Sequence, residues 1–128
     1  MQIGSIVKCA DNSGPKFVRI IKILKASAFS AAKTGDHIIA SVLSCQHRKK
    51  FKVHKGSLVY CICIRISQPI HRKPGNRIRF QYPAVIIVSR KKQKQQEKPM
   101  GTAVYGPIPR ELREQGYIRL VSLSTIAL

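Results

Sequence analysis

Four histidines, four cysteines and five carboxylates are the side chains of this sequence that could do acid–base, nucleophilic or metal chemistry. His37, His47, His54 and His71 are dispersed, and no acid lies near His47, His54 or His71 to orient an imidazole. Spacing alone leaves a nuclease built on two histidines and a lysine open, and the missing acids argue against it. Glu111 and Glu114 stand three apart on a predicted helix, each close to an arginine, which is the pattern of surface ion pairs. There is no P-loop and no Gly-rich dinucleotide fingerprint. Cys61 and Cys63 form a C-x-C inside an apolar stretch, whereas Cys9 and Cys45 are isolated. Structural zinc commonly takes two close pairs, so these cysteines read as small apolar residues. The expectation is a protein with no catalytic residues, no metal and no cofactor.

The chemistry the residues do support is anion binding. "QHRKKFKVHKG", Gln46 to Gly56, carries Arg48, Lys49, Lys50, Lys52 and Lys55 and no acid. Only Phe51 and Val53 in it are apolar, and they serve to pin the stretch to a core. The whole chain carries 24 Lys and Arg against 5 Asp and Glu, a net charge of +19. Between His37 and Gln96 there is no acid at all, while 14 Lys and Arg fall there. Such a surface attracts polyanions, nucleic acid first and an anionic membrane second. No apolar run reaches the roughly 18 residues a membrane span needs, and the basic segments carry β-branched residues and turns rather than a surface-helix pattern. The N-terminus has neither a secretory pattern nor the Arg-rich look of a transit peptide. Aromatic residues are few, four Tyr, four Phe and no Trp, which argues for phosphate and sugar contacts on a folded RNA over a stacking platform for single strands.

The 128 residues suit one domain, and a 44% hydrophobic content is enough for a core. Ile3 to Ala10 reads as a strand, and "DNSGP", Asp11 to Pro15, as a turn in which Gly14 takes a positive φ. In "KFVRIIKILK" the basic residues 16, 19, 22 and 25 recur at helical spacing, while Val18, Ile20, Ile21 and Ile23 favour a strand. Periodicity leaves that segment open between the two. "HIIASVLS" and "SLVYCICIRI" read as strands with little polar content. After the "KPGN" turn, "RIRFQY" alternates: Arg77, Arg79 and Gln81 on one face, Ile78, Phe80 and Tyr82 on the other. "AVIIV" is a further strand, and "RKKQKQQEK", Arg90 to Lys98, a polar loop or hairpin tip. Pro109 fits the first turn of a short helix that Gly116 ends. Five or six short strands and one or two short C-terminal helices suggest a small barrel, since closure removes sheet edges.

Several stretches resemble the large-subunit ribosomal protein fourteen family in its bacterial and organellar branch. They are "ADNSG" (Ala10 to Gly14), "KVHKGSLVYCICIR" (Lys52 to Arg65), "GNRIRFQYPAVII" (Gly75 to Ile87) and "GTAVYGPIPRELRE" (Gly101 to Glu114), in family order and covering nearly the whole chain. The resemblance implies a mainly β fold: one domain over 1–128, a five-stranded closed β-barrel with a projecting basic hairpin and loops, and a C-terminal helical segment at about 108–128. It turns the open segment at Lys16 to Lys25 into a strand. It implies a structural, non-enzymatic role: binding large-subunit rRNA near the subunit interface and contributing to an intersubunit bridge with small-subunit rRNA. The neighbours it implies are large-subunit proteins three and nineteen and a ribosome-silencing factor, with no membrane contact and no homo-oligomer. Beside the first basic run, the expected rRNA contacts are Arg72, Lys73, Arg77 and Arg79, then Arg90, Lys91, Lys92 and Lys94, then Arg110 and Arg113. Thr102, Ala103 and Tyr105 form the expected factor surface. Pro83 stands where the family has Asn, Ala103 where it has a basic residue, and "STIAL" where it has A-P-E-V-L. That drift points to a mitochondrial ribosome, with bacterial cytoplasm or plastid as the alternative. The competing functional reading is a free basic RNA-binding protein or RNA chaperone.

Overall fold

The computed structural model describes residues 1–24, 31–46, 53–73, 75–89 and 98–128. Seven strands form: β1 (Ile6–Cys9), β2 (Pro15–Ile23), β3 (His37–Cys45), β4 (Leu58–Arg65), β5 (Ile70–Arg72), β6 (Asn76–Ile78) and β7 (Ala84–Val88). β1, β2, β3, β4 and β7 make a closed barrel in that order. Neighbours are antiparallel except where β7 meets β1, a parallel seam through Lys8↔Ala84 and Cys9↔Val85. β5 and β6 form a separate two-stranded hairpin inserted between β4 and β7.

β2 is a strand, and its geometry explains the helix-like spacing of its charges. Its pairing with β3 shifts register between Pro15 and Phe17, between Phe17 and Val18, and between Ile20 and Lys22. A bulge places two successive residues opposite one, so the inside–outside alternation slips. Val18, Ile20 and Ile23 therefore point inward, while Lys16 with Phe17, Arg19, and Ile21 with Lys22 are exposed. A three-residue repeat of Lys and Arg is what a bulged strand with one wet face produces.

β4 and β7 are apolar at nearly every position because both their faces are covered. Cys61, Cys63, Val85 and Ile87 pack inside the barrel with Val18, Ile20, Ile38 and Ala40. The alternate residues Ile62, Ile64, Ile86 and Val88 form a second core with Val104, Ile108, Leu112 and Leu120 from the C-terminal segment. Each such isoleucine contributes about 1.5–3 kcal/mol by leaving water. The C-terminal segment holds helix α1 (Glu111–Glu114) and helix α2 (Ile118–Leu123).

Four local expectations need correction. Pro109 precedes α1 rather than lying in it, because Arg110 is the N-cap; the Pro109 carbonyl instead accepts from Leu112 N–H at 3.3 Å. Residues 124–128 are not helical: Ile108 and Ala127 form a parallel bridge, with Leu128 N–H donating to the Ile108 carbonyl at 2.7 Å. The "RIRFQY" strand ends at Ile78, since its partner β5 is only three residues long. Tyr82 consequently does not share the buried face of Phe80 and is 67% exposed.

Candidate nucleic-acid interface

Two hydrogen-bonded clamps set the surface around the barrel seam. Asp11 is buried at the end of β1; its carboxylate accepts Ile87 N–H at 3.1 Å and Ser13 Oγ–H at 2.8 Å. Burial pushes its pKa up, and these hydrogen bonds act against that rise. Asn12 Oδ1 accepts the backbone N–H groups of Thr102 (2.8 Å) and Ala103 (3.3 Å), and its amide donates to Thr102 Oγ1 at 2.6 Å. The turn residues thus hold a segment ninety positions away. Arg65, at the end of β4, donates through Nη1 to the carbonyls of Tyr105 (2.9 Å) and Pro107 (3.1 Å). Gly106 sits beneath that guanidinium at φ +83°, where a Cβ would come within 2.3 Å of Nη1.

The cations distribute around this frame. Lys8, Lys16, Arg19 and Lys22 are exposed on the outer faces of β1 and β2. On the hairpin, Lys73 and Arg77 are exposed, and Arg79 just beyond it is exposed with Nε donating to the Ser67 carbonyl at 3.1 Å. Lys55 is exposed in the turn at Gly56, and Arg110 and Arg113 are exposed around α1. Arg72 differs: it forms a bidentate pair with Glu111, at 2.5 and 2.8 Å, and also bonds the Leu128 carbonyl. That pair holds the hairpin against the C-terminal segment, and the hydrogen bond from Arg72 draws the Glu111 pKa down.

Arg48, Lys49, Lys50, Lys52, Arg90, Lys91, Lys92 and Lys94 lie outside the described residues. The residues flanking them are tied to the barrel. Gln46 N–H donates to the Gly14 carbonyl at 3.1 Å, and Val53 is buried in the barrel core, its carbonyl accepting from Cys45 Sγ at 3.2 Å. Ser89 donates through N–H (3.0 Å) and Oγ (3.1 Å) to the Lys98 carbonyl. Of the expected factor surface, Thr102 and Tyr105 are exposed and Ala103 is half-buried on the Asn12 clamp.

Among the described residues, those that could carry other chemistry do not converge, and His47 lies outside them. His37 Nε2 lies 3.2 Å from Tyr117 Oη, with the rings edge to face, while His54 is exposed in a loop and His71 is exposed on β5. Burial pushes the Cys9 thiol up to about 12 and raises Cys61 well above its ordinary value, so both are neutral thiols in an apolar core. Among the described residues no group of three or more His, Cys, Asp and Glu is arranged to hold a metal ion. Sequence reasoning did not single out Lys8, which it placed on a strand, or Lys16, Arg19 and Lys22, whose spacing it left open between helix and strand until the resemblance favoured a strand. The signal was present: a three-residue charge repeat on a β-branched stretch marks a bulged strand. It also missed Asn12 and Arg65, whose side chains act on distant backbone.

A family model for ribosomal protein L14p/L23e matches residues 1–128. The chain is also 36% identical over 124 residues to the large ribosomal subunit protein uL14 of Petrotoga mobilis, covering 97% of this chain and 96% of that protein.

Proposed function

The chain belongs to the ribosomal protein L14p/L23e family, whose members are structural proteins and not enzymes, and on that premise we propose that it is a structural constituent of the large ribosomal subunit that binds large-subunit rRNA near the subunit interface. The observation that carries this reading is the fate of the acids. Of the four described acids, Asp11 is buried, Glu111 is taken by Arg72, Asp36 accepts from Lys33 N–H at 2.5 Å, and Glu114 alone is exposed, on α1. The exposed Lys and Arg of β1, β2 and the hairpin therefore look to an outside polyanion for neutralisation. Phosphates supply it, and release of their counterions drives association. The basic stretches at Arg48–Lys55 and Arg90–Lys94 belong to the same contact set, anchored by the barrel on both flanks.

The finer reading follows the family resemblance: a bridge to small-subunit rRNA, proteins three and nineteen as neighbours, and a silencing factor at the Thr102–Tyr105 surface. The drift at Pro83 and Ala103 supports a mitochondrial ribosome; the similarity to a bacterial protein fits the alternative of bacterial cytoplasm or plastid. Sedimentation of a tagged chain through a high-salt gradient tests the core proposal. A structural constituent stays with large subunits, whereas a free RNA chaperone moves to the top of the gradient.

A further inference from the structure

Three exposed aromatic rings gather at the barrel seam, where the sequence suggested a surface poor in them. Phe17 is 43% exposed, Tyr82 67% and Tyr105 59%. They line two adjoining clefts. The larger, about 810 Å³, is lined by Phe17, Tyr105, Lys8 and Lys16, with Asp11 and Asn12 among its other residues. The smaller, about 520 Å³, is lined by Tyr82, Tyr105, Lys8, Phe80, Arg65 and Pro83. Both volumes fall in the range of ~300–1,000 Å³ typical of sites for ligands larger than an ion. Lys8, Cys9 and Tyr105 line both clefts, so the two adjoin around Tyr105 as one trough.

The Tyr105 ring is held on a fixed backbone. Tyr105 N–H donates to the Ala10 carbonyl at 2.6 Å, and its own carbonyl accepts from Arg65. Asn12 pins the chain two and three residues earlier. An exposed aromatic ring on a pinned backbone is preorganised for stacking, since little backbone entropy is lost when a partner arrives. The one acid in the trough, Asp11, has both carboxylate oxygens engaged by Ser13 and Ile87 and is itself buried, so the outward charge is that of Lys8 and Lys16.

Exposed aromatic rings with lysines beside them match the two parts of an unpaired nucleotide: a base with a π face and a phosphate. We propose that the trough is a stacking site for two consecutive unpaired nucleotides of RNA, one on each side of Tyr105, with their phosphates on Lys8 and Lys16. This rests on the rRNA-binding reading, adds to it a segment that is splayed out rather than helical, and takes the Tyr105 ring out of the surface offered to a silencing factor. Bases inside a duplex are stacked on one another and do not enter, and because every base has a π face the site takes them with little sequence preference.

The probe is single-stranded hexa-adenylate RNA, titrated into the full chain while the Tyr and Phe ring resonances are followed by NMR. The rings of Tyr105 and Tyr82 should shift with saturation, and a blunt-ended, G·C-rich RNA duplex should leave them unmoved. Tyr105→Leu and Tyr82→Leu, at exposed positions whose folding is checked by thermal melting, should each weaken single-strand binding at least about fivefold with the salt slope unchanged. Lys8→Gln and Lys16→Gln should each lower that slope by about 0.7. Binding without ring shifts, or Tyr→Leu variants that bind like the unaltered chain, overturns the proposal. So does an acidic peptide that shifts the same rings when hexa-adenylate does not. A chain that co-sediments with large subunits yet fails these tests refutes the trough alone; one that also leaves the subunits refutes the wider reading.

Discussion

Strands β2 and β4 bury comparable rows of side chains inside the barrel and differ in what lies outside them. β2 turns Lys16, Arg19 and Lys22 to the exterior, whereas β4 turns out Ile62 and Ile64, which the C-terminal segment covers through Leu112 and Leu120. The same barrel thus has a closed side and an open side. The closed side spends its outer faces on a second apolar core and on two clamps, Arg65 to the 105–107 backbone and Arg72 to Glu111. The open side keeps its charge exposed. A cation that contributes little to stability and remains exposed is available for binding, and this separates functional from structural Lys and Arg more sharply than counting them does.

The comparison breaks first where the closed side is cut. Leu112→Ala, in the second core, should cost about 2–5 kcal/mol in chemical denaturation, and Phe80→Ala, at the seam but only 7% exposed, about 3–5 kcal/mol. Gly106→Ala comes next. It forces a non-glycine residue to φ +83° at roughly 1–2 kcal/mol and drives a methyl into Arg65; the melting temperature should fall although no apolar contact is removed. Glu111→Gln should cost about 1–2 kcal/mol near neutral pH. Because Arg72 holds the Glu111 carboxyl below its ordinary 4.5, the pair stabilises the fold above about that pH, and its contribution disappears as pH falls through the folded value. Melting curves of the unaltered chain and the variant should therefore converge in acid. Smallest is Arg79→Gln, exposed and bonded only to the Ser67 carbonyl among the described contacts, which should stay within about 0.5 kcal/mol of the unaltered chain.

How much of this was legible in the sequence depends on the range of each interaction. The doubly apolar runs of β4 and β7 announced buried strands, since continuous hydrophobicity reports burial whatever covers it. The acid-free basic stretches are the ground for expecting a polyanion. Helical spacing left β2 open between helix and strand, with only the resemblance favouring a strand, because bulges are a property of pairing with β3, which no single segment encodes. Tyr82 was assigned inward because alternation was extended beyond Ile78, and the end of β6 is set by the length of β5. Arg72 read as one more RNA contact because its partner Glu111 lies 39 residues away. Gathering Phe17, Tyr82 and Tyr105 needed the closed seam between β1 and β7, so a low aromatic count could not reveal it.

The division into an open and a closed side is tested most directly by the salt dependence of binding to a large-subunit rRNA fragment. Lys16, Arg19 and Lys22 are changed together to Gln, and affinity is measured across salt beside the melting temperature. If the open side meets phosphates, the slope of log affinity against log salt falls by roughly 2–3 while the melting temperature stays level or rises slightly as self-repulsion is relieved. An unchanged slope, or a loss of stability like that of Leu112→Ala, would contradict the account.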